Sequence, residues 1–378
     1  MKNITKILLT IFASVAITTA SFAGALNVTG DAKASYNIQS ADGSDNNNGD
    51  KGKALGITNE ITFSATGELD NGWAWKYQTE LDSGAETTSG AGIDDSQIVF
   101  TTDYGTVGLM VSEGSLRGGA LGWDVSAFGA GSDNGAGGGM RLGSELSGYN
   151  NIQYHTPAGL LPYGIVLKGG QSVNGDTSVN SFKAAGSGGV ATAITNQLPG
   201  TNATTNFVAK KFEQYQISAT PLDGLSIIAD YGDASGAGAD LVVDHQEPES
   251  GHISAKYAIG NATIGLGRGY EALGMTGTLA ANTIEQITNT SMGLGYAVND
   301  QLSLSYTQEE SDALFTGATN TLGGASVTPN VELEITSIQA AYTMGGMTIA
   351  VSMDDIENAQ YILNRDLKET MLTVALAF

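Results

Sequence analysis

Leu367-Lys368-Glu369-Thr370-Met371-Leu372-Thr373-Val374-Ala375-Leu376-Ala377-Phe378 ends the chain on an alternation of two kinds of residue. Leu372, Val374, Leu376 and Phe378 are large and apolar, whereas Met371, Thr373, Ala375 and Ala377 between them are mostly small or polar. A period of two with one greasy face is a β-strand pattern. Terminal segments of soluble domains usually fray. A last apolar aromatic with no tail makes sense where a strand closes a barrel and its ring sits at a membrane–water interface.

The opposite end reads as an address. Lys2 and Lys6 precede the apolar run Ile7–Ile17, and Ser21-Phe22-Ala23 places small residues at a peptidase site. Residues 1–23 are therefore expected to be a secretory signal and residues 24–378 one barrel domain. No second apolar run long enough for a membrane helix follows. The 378 residues carry 39 Asp and Glu against 16 Lys and Arg, a net charge of −23, which argues against a nucleic-acid partner. The absence of Cys excludes disulfides and thiolate metal sites. With 52 Gly but only 6 Pro, the chain is not a Pro-rich disordered one. A mean hydropathy of −0.04 is what greasy lipid-facing and polar lumen positions average to.

The same alternation recurs upstream. Leu26, Val28, Ala32, Ala34, Tyr36 and Ile38 oppose Asn27, Asp31, Lys33 and Ser35 over residues 25–39. Leu55, Ile57, Ile61, Phe63 and Ala65 oppose Thr58, Glu60, Thr62 and Ser64. Asp70-Asn71-Gly72 is a tight-turn signal, and Trp73, Trp75 and Tyr77 return opposite Lys76, Gln78 and Glu80. Two Trp at the turn end of an apolar face fit an interfacial girdle. Further short turns fall at 105, 157–162, 221–224, 260–261, 299–300 and 345–346, with long Gly-, Ser- and Asn-rich connections between them. About sixteen strands result. Short turns segregated from long loops are the mark of a transmembrane antiparallel β-barrel. A secreted β-sandwich or solenoid remains the alternative, although no fixed repeat supports the solenoid.

These features together resemble the general porin family of Gram-negative outer membranes. Beside Phe378, the resemblance rests on Ile98–Gly108 with its Tyr104-Gly105-Thr106-Val107, and on Tyr149-Asn150-Asn151-Ile152-Gln153-Tyr154 before Pro157-Ala158-Gly159. It implies a homotrimeric sixteen-stranded barrel, a long third loop folded into the pore, and passive diffusion of small hydrophilic solutes. The terminal Phe378 likewise resembles the signal read by the barrel-assembly machinery. Carried over by position, the constriction loop spans about 113–147 and offers Glu113, Arg117, Asp124, Asp133, Arg141 and Glu145. In that family, acids on this loop face basic residues on the wall. Here only Arg117, Arg141, Arg268 and Arg365 exist, a departure that implies a less polarised eyelet.

Candidate lumen-wall residues by parity are Asp31, Lys33, Glu60, Lys76 and Glu80, joined by Glu68 and Asp82 and, on later strands, by Lys168 and Lys256. The acidic excess leads to an expectation of weak cation selectivity that fades with salt. Other functions are weighed against this one. A barrel hydrolase needs a His paired with Ser or a carboxylate. Asp244-His245 reads as a solvated acidic loop, His252 starts a strand, and His155 lies beside a turn, an interfacial rather than a catalytic place. No enzyme and no resident cofactor are expected. Asp240, Asp244, Glu247 and Glu249 could gather Ca²⁺ in an outer loop, or bridge lipopolysaccharide phosphates, but lack a binding-loop spacing. A surface receptor or adhesin using the loops at 173–206 and 311–330 is the remaining alternative.

Overall fold

The computed structural model describes residues 26–42, 52–82, 92–133, 139–143, 145–172, 194–195, 206–207, 211–235, 244–246, 248–273, 275–276, 284–315, 320–322, 325–327 and 330–378. Residues 1–23, expected to be a secretory signal, lie outside them. Sixteen strands pair in chain order into one closed barrel. They are β1 Leu26–Asp42, β2 Gly52–Glu68, β3 Ala74–Asp82, β4 Gly92–Thr102, β5 Gly105–Val111, β6 Asn151–His155, β7 Val166–Ser172 and β8 Lys211–Leu222. There follow β9 Leu225–Ser235, β10 Glu249–Ile259, β11 Ala262–Ala272, β12 Ile284–Ala297, β13 Leu302–Phe315, β14 Asn330–Met344, β15 Met347–Glu357 and β16 Asp366–Ala377. Every neighbouring pair is antiparallel, and β16 pairs with β1 to close the ring. Among the described residues, no helix is long and apolar enough to cross a membrane.

The last residue completes the closure. Phe378 N–H donates to Gly30 O at 2.9 Å, and Gly30 N–H donates to Phe378 O at 2.8 Å. A Cβ on Gly30 would stand 2.8 Å from the Phe378 ring, so the glycine lets the aromatic lie flat on β1. All seven expected short turns join consecutive strands at this same end of the barrel. Asn71 stabilises the first, its Oδ1 accepting the Trp73 N–H at 3.2 Å. Trp73 itself lies in that turn, with Leu69 N–H bonded to its carbonyl, and β3 begins one residue later than its aromatic suggests.

The outward face is apolar near the turns, where Leu304 and Tyr306 of β13, Ile338 and Tyr342 of β14, Ile349 and Val351 of β15 and Leu372 and Leu376 of β16 are all exposed. Towards the loop end the pattern inverts. Glu310 and Asp312 now point outward on β13, Glu332 and Glu334 on β14, and Asp355 and Glu357 on β15. Inward sit Ile284, Ile287, Ala313, Phe315, Val331, Leu333, Ile335, Ile356 and Leu367, packed with Tyr361 into a buried cluster. A uniformly polar lumen is therefore not what the chain builds. The inner face is polar at mid-height and apolar at the loop end, where strands extended beyond an apolar medium need a core of their own.

Candidate functional site

The long connection between β5 and β6, residues 112–150, folds into the barrel, as the resemblance implied for the third loop at about 113–147. It contains the single-turn helix α1, Gly118–Leu121. Polar side chains on the wall take its main-chain groups one after another. Gln216 Nε2–H donates to Leu116 O at 3.1 Å, and Gly119 N–H donates to Asp230 Oδ2 at 2.6 Å. Ala127 N–H reaches Ser305 Oγ at 2.8 Å, and Phe128 N–H reaches Gln339 Oε1 at 2.9 Å. Ser132 N–H donates to Glu309 Oε1 at 2.9 Å, and Leu146 N–H to Gln214 Oε1 at 2.9 Å. A loop buried in this way must have its backbone groups satisfied, and the inward Gln, Ser and carboxylate residues of β8–β14 do so.

The centre of the loop rests on glycine. Trp123 is 1% exposed and lies over Gly265, Gly267 and Gly293, while Val125 covers Gly293 and Gly295. A Cβ on Gly265 would meet the Trp123 carbonyl at 1.8 Å, and one on Gly295 would meet the Val125 carbonyl at 2.5 Å. No other residue type permits so close an approach of loop and strand. The indole N–H is satisfied by Ala120 O at 3.1 Å.

The predicted loop residues fall into two groups. The cations are consumed by pairing: Arg141 makes a fork to Glu271, Nε to Oε2 at 3.1 Å and Nη2 to Oε1 at 2.9 Å, and Arg117 pairs with Glu145 at 3.4 Å. Arg141 N–H also donates to Tyr361 Oη at 3.1 Å, which ties the inserted loop to the last long connection. Burial pushes the Tyr361 hydroxyl up to about 12, and the Tyr149 hydroxyl at the loop's end likewise to about 12. The acids Glu113 and Asp124 are half-buried and Asp133 is exposed. Glu113 Oε1 accepts Gln78 Nε2–H at 3.5 Å, and its other oxygen takes Gly114 N–H at 3.1 Å.

The loop meets β1–β3 at Glu113 and Phe128 but leaves much of that wall accessible. Asp31 is exposed, and Lys33, Glu60, Lys76 and Glu80 are half-buried, whereas the inward residues of β10–β15 are mostly buried. Register sets Asp31 directly opposite Glu60, and Glu60 opposite Asp82, three acids in one row across three strands. Glu80, Asp95 and Glu113 bring carboxylate oxygens within 4.8 Å of one another, a group whose hard oxygens could hold a cation. On the cationic side, Lys33 Nζ stands 5.2 Å from the Phe128 ring centroid.

Sequence reasoning missed the Asp230–His252 pair, joined Oδ1 to Nδ1 at 2.9 Å and buried beneath the loop. His252 lies within β10 rather than at its start. The parity of residues 250–256 was the signal that could have placed it inward. His155, at the end of β6, bonds Gln153 Oε1 at 2.9 Å and shares its inward face rather than lying at an interface. Of the acids considered for Ca²⁺, Asp240 and Glu247 lie outside the described residues, and Glu249 accepts the Tyr231 hydroxyl at 3.0 Å. Most of the loop at 173–206 lies outside them as well, whereas at 311–330 residues 311–315, 320–322, 325–327 and 330 are described, the first five as the end of β13.

No family profile matches the chain, and no curated protein matches it in sequence. Solved structures do. The chain is similar to OmpF of Salmonella typhi in its complex with daunomycin, with a TM-score of 0.63 and 13% identity over 94% of this chain and 98% of that one. It has the porin fold. OmpT, an outer membrane protein of Vibrio cholerae, matches with a TM-score of 0.62 at 12% identity, over 96% of this chain and 100% of that one. An anion-selective porin from Comamonas acidovorans matches with a TM-score of 0.57 at 12% identity, over 94% and 100%. Across these barrels the architecture persists at 12–13% identity, so the fold does not fix the lining, which is this chain's own.

Proposed function

We propose that the protein is an outer-membrane porin, a water-filled channel for passive diffusion of small hydrophilic solutes and ions with weak cation preference. One observation carries the reading. A long loop is fixed inside the barrel on β8–β14 and leaves an acid-lined opening along β1–β3, where Asp31, Glu60 and Glu80 share the wall with Lys33 and Lys76 and Glu113 joins them from the loop. Both loop cations are spent on Glu145 and Glu271, so the carboxylates set the field in the opening. The anion-selective relative indicates that the fold alone does not fix this sign.

On this reading the chain acts in the outer membrane of a Gram-negative bacterium, reached through the periplasm after removal of residues 1–23. It assembles as a homotrimer, as the trimer form of Vibrio cholerae OmpT supports for the fold. The outward acids of β13–β15 face the lipopolysaccharide layer, and the barrel-assembly machinery reads Phe378. It is not an enzyme and needs no cofactor. Asp230 and His252, the pair closest to a hydrolase dyad, serve instead to hold Gly119 and the loop. Purified protein in planar bilayers is the test. Ohmic unitary currents and swelling of liposomes in neutral sugars are expected. A barrel that adheres or hydrolyses without conducting would replace this reading with that of a receptor or an enzyme.

A further inference from the structure

Beneath the constriction loop, on the short-turn side, lies a pocket of about 460 Å³ between Asp124–Ala127 of the loop and the turn ends of β9–β13. Its polar lining includes Asp124 and Ser126 from the loop, the inward Ser226, Lys256, Thr263 and Ser303 from four strands, and Asn261 from the turn between β10 and β11. Among the described residues, Lys256 is the only Lys or Arg of β8–β16 that faces inward: Lys211, Arg268 and Lys368 lie on the outward rows.

The two charges are neighbours that do not neutralise each other. Lys256 Nζ donates to the main-chain O of Asp124 at 3.4 Å, while the Asp124 carboxylate accepts Ser126 N–H at 2.8 Å through Oδ1. No ion pair joins the ammonium to the carboxylate. Each therefore keeps bonding capacity, and both residues line the pocket.

We propose that this vestibule is a binding site for small zwitterions carrying an ammonium and a carboxylate, the chemistry of a free amino acid. The solute carboxylate meets Lys256 and its ammonium meets Asp124, with hydroxyls from three strands and the loop for its polar remainder. A zwitterion satisfies both charges at once. A neutral solute satisfies neither, and an ion of one sign meets one partner and is repelled by the other. The pocket is of ordinary small-ligand size and lies on the short-turn side of the loop, between it and the wall that holds it. The inference rests on the channel reading and names one solute class for it.

The test uses the full protein in planar bilayers in KCl, with L-serine, glycerol or ethanolamine added to either side. Each block is expressed as a fraction of that variant's own open-channel current. L-serine is expected to reduce the current saturably, and at least about tenfold lower in concentration than glycerol or ethanolamine. Lys256→Met and Asp124→Asn should each raise the half-blocking concentration of L-serine about tenfold, the loss expected for one charge-assisted hydrogen bond. Equal block by the three solutes, or L-serine block unchanged in both variants, overturns the site. Calorimetric titration of L-serine into detergent-solubilised protein reads the same contrast without any current. A non-conducting barrel that binds L-serine thus defeats the channel reading and keeps the site, while a conducting barrel that shows no contrast does the reverse.

Discussion

The carbonyl oxygen of Trp123 lies 1.8 Å from where a Cβ on Gly265 would stand, so the constriction loop and β11 fit only because Gly265 has no side chain. Gly265→Ala is expected to lift the loop from the wall rather than abolish the barrel. Forcing a methyl into such a contact costs roughly 1–3 kcal/mol. The loop would move towards β1–β3, where the opening lies. Unitary conductance should fall while the heat-resistant barrel band persists on gels. An unchanged conductance would mean that the strand yields instead.

Arg141 and Glu271 make the strongest charged clamp on the loop. The Glu271 side chain is only 4% exposed, so Arg141→Ala leaves a carboxylate buried without its partner, a loss of about 3–5 kcal/mol. Glu271→Gln in the same chain should recover most of it, because a neutral amide needs no counter-charge. Protease cutting within 112–150 checks this, with fast cleavage expected in the single variant and slow cleavage in the double one.

Burial lifts the Tyr361 hydroxyl to about 12, whereas a tyrosine in an unfolded chain ionises near 10. The unfolded chain therefore sheds this proton first as pH rises. The contribution is complete below about pH 10 and is lost as pH climbs through about 12, by as much as roughly 2–3 kcal/mol. Tyr361→Phe gives up the bonds from Arg141 N–H and with Ser311, so it should be less stable at neutral pH. It should also decline less steeply above pH 10. The temperature of barrel unfolding, measured across that range, reads both.

Deleting Phe378 removes two main-chain hydrogen bonds to Gly30 and the ring that covers it. Most of the protein is expected to stop in the periplasm, unassembled. Outer-membrane fractionation would show otherwise if the ring and its carbonyl contribute nothing to closure.

The sequence was most legible where one face meets an apolar medium and the other water. Leu372, Val374 and Leu376 alternate cleanly because nothing but the strand pleat acts on them, and the short turns are written in residues such as Asn71 and Gly72. Above the apolar band the rule reverses: Val331, Leu333 and Ile335 turn inward while Glu332 and Glu334 turn out. Parity does not announce on which side of that boundary a residue lies. The loop site was less legible still. Its residues could be named, yet nothing local to Arg141 points to Glu271, more than a hundred residues on. A scatter of glycines at 265, 267, 293 and 295 reads as weak strand until the loop that covers it is in place.

The most direct measurement is the reversal potential of the purified protein in a KCl gradient. The account predicts a sign favouring K⁺ at low salt, shrinking as ionic strength rises and the Debye length falls to about 3 Å at 1 M. Glu60→Gln together with Glu80→Gln should move it towards zero, because both acids line the accessible wall of β2 and β3. An anion preference at low salt, untouched by that double change, would mean that Lys33 and Lys76 set the field in the pore, and would contradict the account.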